Sequence, residues 1–249
     1  MRDALSSQRG MLTLLAAAAL VPLAISLDAG QAAKPISIEG ATGLEFVQVV
    51  PQTATYKEHR ALRLVQTPNA TIEGVALVNG VEFKNGTIDV DLAGLPGSGS
   101  DQGARGFVGI AFRSAAHAET FECFYIRPTN GRADDQLRRN HSTQYVSPPQ
   151  FPWQKLRAEN PGVYESYVDL ETGVWTHLRV DVDGVRARLF VNGAPQPAPI
   201  VNDLKRGGVS GQVGLWIGSG TEAYFRNLRI TARLAHTRHC EWRIRRPLL

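Results

Sequence analysis

The stretch WTHLRVDVDGVRARLFV, residues 175–191, decides the fold. Its apolar residues alternate along 178–182, a period of two that predicts a strand with one buried face. Asp183-Gly184 follows, and this dipeptide suits a two-residue hairpin loop because both central residues must tolerate positive φ. A second alternating run at 187–191 ends at another turn signal, Asn192-Gly193. The window therefore predicts two antiparallel strands joined by a tight turn.

Comparable patterns occur on both sides of this hairpin, whereas helical periodicity is scarce beyond the N-terminus. Short apolar or alternating runs are separated by Gly, Pro and Asn-Gly, which predicts many short strands. The candidate strands are 43–50, 61–66, 75–78, 81–84, 87–92, 107–112, 121–126, 212–217, 222–226 and 227–231. A chain of 249 residues fits one large β domain. We therefore expect an all-β, two-sheet sandwich.

The formal charge of +4 belongs to the C-terminal end of the chain. Residues 34–231 contain 20 basic and 20 acidic side chains, whereas 232–249 contains five Arg and one Glu. A neutral domain without a basic stripe argues against nucleic acid as a partner. We expect the basic tail, 232–249, to be solvated and disordered, although it could also touch an anionic surface.

The first 32 residues have the pattern of a secretory signal peptide. A basic start at Arg2 and Arg9 precedes the apolar run 11–27, and small residues follow at 30–32. We predict cleavage after Ala32, or alternatively after Ala33. A retained membrane anchor is the competing interpretation, but the run is shorter than the ~20 residues that span a bilayer, and a proline interrupts it. The mature domain, 33–231, is then secreted or periplasmic, without stable membrane insertion.

The chain has only two cysteines, Cys123 and Cys240, which cannot make a disulfide framework. A single bridge between them is one possibility. The alternative that we favour is a buried, free Cys123 that behaves as a small hydrophobic side chain. No Cys/His spacing typical of a metal site occurs.

The segment 127–167 differs from the rest of the chain. It has little periodicity and is far longer than ordinary loops, a length typical of functional or disordered segments. Its aromatic content argues against disorder. We therefore predict an ordered excursion packed on one face of the sandwich.

Four late pieces of the sequence carry a family resemblance. They are the Trp-led strand at 175–182, VNG at 191–193, GQVGLW at 211–216 and YFRNLRI at 224–230. In this order they resemble the concanavalin A-like lectin/glucanase superfamily, and within it the laminin-G-like and 3-keto-disaccharide hydrolase domain families. The resemblance implies a two-sheet antiparallel jelly roll whose concave sheet often meets carbohydrate. Fold alone does not fix activity.

Two shorter pieces are similar to the hydrolase domain family. GIAFR at 109–113 is similar to its strand ending in Arg, and Phe121-Glu122 to its aromatic-Glu pair. That pattern usually continues with Gln two places after the Glu, where this chain has Phe124. The Glu-x-Asp-x-x-Glu signature of family-16 glycoside hydrolases is absent from the sequence.

Glu122 is the most informative acid, because it falls in a strand expected to be central. A carboxylate there must be paired, have a raised pKa or face a cleft. We predict a general acid/base or an acceptor for sugar hydroxyls, with His141 as a second catalytic candidate. The alternative is a structural pair of Glu122 with Arg113 or Arg127.

The excursion supplies further candidates. Sugars present apolar C–H faces, which suit aromatic rings supported by a few polar groups. We expect Trp153 to stack on the sugar, with Arg113, Arg127, Tyr145 and Tyr164 as further contacts; alternatively, the aromatics form a satellite core. Loop oxygens are the ligands that calcium prefers. The possible calcium ligands are Asn130, Asp134 and Asp135.

Three functional hypotheses follow. The first is a secreted or periplasmic carbohydrate-binding, lectin-like module. The second is a glycoside hydrolase with Glu122 as acid/base, and the third is an adhesive module that binds protein through the same face. The sequence names neither the sugar nor the oligomeric state.

Overall fold

The computed structural model describes residues 34–233 of the chain. The predicted signal peptide, Cys240 and all but two residues of the predicted tail lie outside the described residues. Of those two, Ala232 continues the last strand. No helix within 34–233 has the length and apolar character needed to cross a membrane.

The described chain is a succession of strands with two short helices in the excursion. The strands are β1 (Lys34–Ile36), β2 (Leu44–Val47), β3 (Val49–Tyr56), β4 (His59–Gln66), β5 (Gly74–Val78), β6 (Gly86–Pro96), β7 (Val108–Ser114), β8 (Glu122–Ile126), β9 (Thr143–Val146), β10 (Glu165–Ser166), β11 (Thr176–Asp183), β12 (Arg186–Val191), β13 (Ile200–Val201), β14 (Gln212–Ile217) and β15 (Thr221–Ala232). The helices are α1 (Gln136–Asn140) and α2 (Trp153–Glu159).

These strands form two antiparallel sheets. Sheet A has the order β13-β12-β11-β6-β15-β4-β3, with β1 also paired to β15. Sheet B has the order β10-β9-β8-β7-β14-β5-β2. Strands distant in sequence are neighbours in both sheets, as expected for a sandwich with crossing connections. The predicted all-β two-sheet sandwich is therefore confirmed.

The central hairpin forms as predicted, with one shift in its loop. Asp183 pairs with Arg186, so the two loop residues are Gly184 and Val185 rather than Asp183 and Gly184. Gly184 has φ +58°, the left-handed region that the first residue of such a turn requires. Asn192-Gly193 also forms a tight turn.

Other element boundaries differ from the predictions for local reasons. The predicted strand 43–50 is two strands in different sheets, because Gln48 adopts φ +56° and redirects the chain. The predicted strand 81–84 contributes only an isolated bridge between Phe83 and Gly211. The predicted strands 222–226 and 227–231 are one strand, β15, with an irregularity after Arg226.

The core lies between the sheets. The alternating side chains of β6, Ile88, Val90 and Leu92, are fully buried on its sheet A side, and Ile110 and Phe124 are fully buried in sheet B. Strand residues that alternate with these point to the outer faces. The inward or outward position of each side chain therefore follows from its parity along the strand.

The excursion 127–167 is ordered and becomes part of the sandwich. It contains α1, α2, β9 and β10, and its two strands extend sheet B beyond β8. Leu156 is the buried residue of α2, which packs against β9. The excursion therefore widens the sheet and places a helix beside its outer face.

Candidate functional site

A row of side chains crosses the outer face of sheet B from strand to strand. Glu165 pairs with Gln144, Gln144 with Tyr125, Tyr125 with Gly109, and Gly109 with Trp216. Residues directly opposite one another point to the same face. This register therefore aligns acid, amide, phenol and indole groups across five adjacent strands.

Gly109 lets the two aromatic rings of this row meet. The ring centroids of Tyr125 and Trp216 are 4.7 Å apart, on either side of the glycine. A Cβ on Gly109 would lie 2.2 Å from the carbonyl oxygen of Phe124 and 2.6 Å from Cβ of Tyr125. The row thus has room for a continuous aromatic floor only because a side chain is missing at this position.

Arg127 lies two residues after Tyr125, on the same face of the sheet. Its guanidinium donates to the Tyr125 hydroxyl at 2.7 Å, to the Gln144 side-chain oxygen at 3.2 Å and to the His141 carbonyl oxygen at 2.8 Å. The guanidinium carbon also lies 6.0 Å from the ring centroid of Phe107. Neutral partners on several elements therefore fix this buried cation.

Helix α2 places an indole and a second guanidinium beside Arg127. Trp153 and Arg157 are four residues apart and so share one helix face. The Arg157 guanidinium carbon lies 4.6 Å from the Trp153 ring centroid, and that of Arg127 lies 5.9 Å from it. Trp153 stays 38% exposed. The helix thus presents a solvent-facing ring held between two cations.

Two depressions meet at Phe107 and Trp153, and together we call them the groove. The arginine end has a volume of about 390 Å³ and includes Arg127 and His141. The aromatic end has a volume of about 330 Å³ and includes Tyr125 and Trp216. Pockets for small ligands have volumes of this order. The groove is a concave surface with aromatic walls and a few fixed polar groups.

His141 and Arg157 converge on the acid at the end of the row. Glu165 is 7% exposed, accepts from Arg157 Nη2 at 2.7 Å, and has an oxygen 2.8 Å from His141 Nδ1. The His141 contact is at ion-pair distance but is not aligned for a hydrogen bond. These groups orient one another at the edge of the groove.

The structure gathers some of the predicted site residues and separates the others. Arg127, His141 and Trp153 meet in the groove as the sequence analysis expected, although their roles stay predictions. Tyr164 lies elsewhere, with its hydroxyl 2.6 Å from Asp203 Oδ2 and 2.7 Å from Lys205 Nζ. It therefore anchors the loop before β14 and does not face the groove.

The surroundings of Glu122 do not match those expected for a general acid/base or a sugar contact. Its side chain points to the core side of sheet B and is fully buried. It accepts a hydrogen bond from the Tyr145 hydroxyl and one from the Arg206 backbone N–H at 2.6 Å. Burial raises the pKa of Glu122, although both hydrogen bonds oppose that shift. Protein encloses the carboxyl, and it lines neither end of the groove.

Arg113 and Tyr145 belong to the same enclosed region, which we call the buried polar cluster (Arg113, Glu122 and Tyr145). Arg113 is fully buried and donates to the backbone carbonyls of Lys84, Gly184 and Gly207. Tyr145 is fully buried as well, and burial together with the nearby Glu122 raises its pKa. Both residues hold loops together, and the expected sugar contacts from them are corrected accordingly.

Two of the three possible calcium ligands are already engaged within the protein. Asp135 caps α1 by accepting the Arg138 backbone N–H at 3.1 Å, and the Asn130 side-chain oxygen accepts from Arg138 Nε at 2.9 Å. Across residues 34–233, no three His, Cys, Asp or Glu side chains gather as a metal site would need. Calcium binding with Asp134 stays an untested prediction.

Sequence reasoning missed several residues of the groove. Trp216 is one of them: its ring is part of the buried core cluster and also lines the aromatic end of the groove. The pairing of Tyr125, Gln144 and Glu165 requires the register of β8, β9 and β10, which a single sequence does not reveal. The helical spacing of Trp153 and Arg157 was the one signal available, since the two residues lie four positions apart in the run that follows Pro152.

No family model and no curated protein matches the chain, whereas many solved structures do. Carbohydrate-binding module CBM66 from Bacillus subtilis is 15% identical with TM-score 0.52, covering 76% of this chain and 96% of its own. A glycosyl hydrolase candidate from Parabacteroides distasonis ATCC 8503 is 12% identical with TM-score 0.53, covering 82% and 100%. The VIP36 exoplasmic/lumenal domain, in its Ca²⁺/mannose-bound form, is 13% identical with TM-score 0.50, covering 78% and 85%.

The fold is a concanavalin A-like sandwich. The resemblance drawn from the sequence is thus confirmed at the level of the fold. At these identities the likeness establishes the concanavalin A-like fold alone. What the groove does must therefore be argued from its own side chains.

Proposed function

We propose that the groove on the outer face of sheet B binds carbohydrate. The observation that carries this proposal is the exposed indole of Trp153, held by Arg127 and Arg157 where the two ends of the groove meet. An exposed, rigid aromatic ring with fixed hydrogen-bond donors beside it suits a sugar ring, which has an apolar face and polar edges.

The aromatic end of the groove supports the same proposal. Tyr125 and Trp216 are almost fully buried and pack against each other, so they form a rigid floor. Phe107 lies edge-on to Tyr125, with 6.1 Å between ring centroids. A rigid floor reduces the entropy that binding must overcome. The structures similar to this chain include a carbohydrate-binding module and a mannose-bound lumenal domain, in keeping with this use of the fold.

Binding without turnover is the better supported form of this function. Glycosidases need two carboxylates about 5 to 10 Å apart facing the scissile bond. Glu122 is buried on the opposite face, and Glu165 is engaged by Arg157 and His141. The acids that line the groove lie at its two different ends, Asp135 at the arginine end, where it caps α1, and Glu73 at the aromatic end. We include export of the domain in the proposal, on the strength of the pattern at 1–32.

The experiment is a glycan array followed by calorimetric titration of the strongest ligand. We expect Trp153→Ala to weaken binding about tenfold to a hundredfold, as loss of a central aromatic anchor does. The free energy of unfolding should fall by only about 1–2 kcal/mol, because the ring is partly exposed and loses its contacts with Arg127 and Arg157. The matched control is Trp175→Ala, an indole on sheet A.

Three results would count against the proposal. Equal loss of affinity in the Trp153 and Trp175 variants would place the site elsewhere. Hydrolysis of array glycans by the wild type would support the hydrolase hypothesis. Absence of any glycan signal, combined with saturable capture of a purified protein, would support the adhesive module.

A further inference from the structure

We propose that the groove selects acidic carbohydrate, that is, sugars bearing carboxylate or sulfate groups, and that the arginine end binds the anion. This inference rests on the proposed function and specifies its ligand class. Neither the fold nor the overall composition indicates it, because residues 34–231 are neutral as a whole.

The charges around the arginine end are strongly unbalanced. One acidic side chain, Asp135, lines it. The guanidinium groups that line the same depression are those of Arg105, Arg127, Arg138 and Arg157, and the imidazole of His141 lies beside them. A concave surface with one sign of charge concentrates ligands of the opposite sign.

Most of these guanidinium charges have no carboxylate partner within residues 34–233. Arg157 is paired with Glu165. Arg127 contacts only neutral oxygens and aromatic rings, as described above. Arg138 donates to oxygens of Asn130 and Thr129, and Arg105 to backbone carbonyls. Hydrogen bonds to neutral oxygens orient a guanidinium without neutralising it. Asp101 near Arg105 and Glu165 near Arg127 offset these charges only through space, without an ion pair, so the cations around this depression attract an anion.

The fold also holds like charges close together, and their repulsion destabilises the unliganded protein. Burial lowers the pKa of Arg127, and the nearby Arg157 lowers it further. Burial likewise lowers the pKa of Arg105, and the nearby Arg138 adds to that shift. A bound carboxylate or sulfate relieves this repulsion and offers the paired oxygens that the planar guanidinium fork matches.

The two ends of the groove predict where the apolar and the charged parts of the ligand bind. Tyr125 and Trp216 at the aromatic end provide an apolar floor, whereas the anion contacts lie beyond Trp153. A sugar ring stacked near Trp153 can therefore carry its charged substituent toward Arg105 and Arg138. We expect an oligosaccharide of at least two residues to bind better than a monosaccharide.

The test compares matched charged and neutral ligands by calorimetry. The probes are tetragalacturonate, its fully methyl-esterified form, a heparin-derived tetrasaccharide and a panel of neutral oligosaccharides. We expect at least tenfold tighter binding of one acidic probe than of every neutral one. The same affinity should fall as salt rises from 50 to 500 mM, because exposed charge pairs are screened.

The variants isolate the guanidinium contribution. The double variant Arg105→Gln/Arg138→Gln should lose about tenfold in affinity for the acidic probe and little for a neutral one. The control, Arg60→Gln/Arg186→Gln, removes the same charge from two exposed positions on sheet A and should bind like the wild type.

The outcomes separate this inference from the proposed function. Neutral oligosaccharides that bind as tightly as acidic ones would overturn the acidic preference and leave carbohydrate binding intact. Failure of every glycan to bind would overturn both. Binding of a single-stranded oligodeoxynucleotide in place of any acidic glycan would also overturn the inference, as would equal losses in the two double variants.

Discussion

The two faces of strand β8 put similar side chains to opposite uses. On the outer face, Tyr125 and Arg127 form part of the groove, in hydrogen-bond contact with neutral groups and next to solvent. On the inner face, Glu122 lies in the buried polar cluster with Arg113 and Tyr145. There its carboxyl oxygens accept hydrogen bonds from protein donors. A shift of one residue along a strand exchanges these environments.

This difference shows which feature makes a polar side chain available to a ligand. Both regions contain arginine and tyrosine, and burial alone does not distinguish them, since Arg127 is 5% and Arg113 0% exposed. What differs is the neighbourhood. Arg113 extends among backbone carbonyls of loops that close over it, whereas Arg127 ends beside Trp153, where the groove is open.

The largest expected effect comes from the buried polar cluster. Arg113→Met should lower the free energy of unfolding by about 3 kcal/mol or more, because it leaves several buried carbonyl oxygens without their donor. Urea unfolding measures this loss. The fraction that remains folded should bind glycan with wild-type affinity, since Arg113 does not reach the groove. A selective loss of glycan binding with stability unchanged would assign Arg113 to the binding site. It would contradict the distinction drawn between the groove and the buried polar cluster.

A smaller effect, with a defined pH dependence, is expected at Glu122. Burial raises its pKa above the ordinary 4.5, so the protonated form is favoured in the fold. The stability that the protonated Glu122 carboxyl gives the fold is complete at pH values below 4.5 and is lost as pH rises through the raised pKa. Glu122→Gln should therefore cost about 1–2 kcal/mol near pH 4 and less near pH 7, by urea unfolding.

The control for this substitution is Glu119→Gln, at an exposed position three residues earlier. It should change neither stability nor its pH dependence. A destabilisation of Glu122→Gln that grew as pH rose would mean that the hydrogen bonds from Tyr145 and Arg206 outweigh burial. Loss of catalytic turnover in this variant would instead revive the acid/base hypothesis.

Much of the fold was predictable because alternation and turns are local properties. The alternation of 87–92 and of the 175–191 hairpin gave the correct inner faces, since parity follows directly from sequence. Glycine and Asn-Gly positions marked turns for the same reason. The switch of sheet at Gln48 was not predictable, because its positive φ is rare for a residue with a side chain.

The candidate site was only partly predictable. Trp153 and His141 could be named from residue type and loop context. For Glu122, the sequence did not show which face of the sheet the side chain points to, because apolar residues occur on both faces of its strand. The contribution of Trp216 depends on its pairing with Gly109, a contact between strands that are distant in sequence. Local pattern gives strands and faces, but cross-strand neighbours emerge only from the assembled sheet.

The most direct measurement uses the tryptophan indole N–H resonances during a glycan titration, with each signal assigned by substitution. Trp153 and Trp216 line the groove, whereas Trp175 packs against Tyr56 on sheet A. Saturable shifts of the Trp153 and Trp216 signals, with Trp175 unmoved, are the predicted result. Shifts confined to Trp175, with the other two signals unchanged at saturation, would contradict a carbohydrate site in this groove.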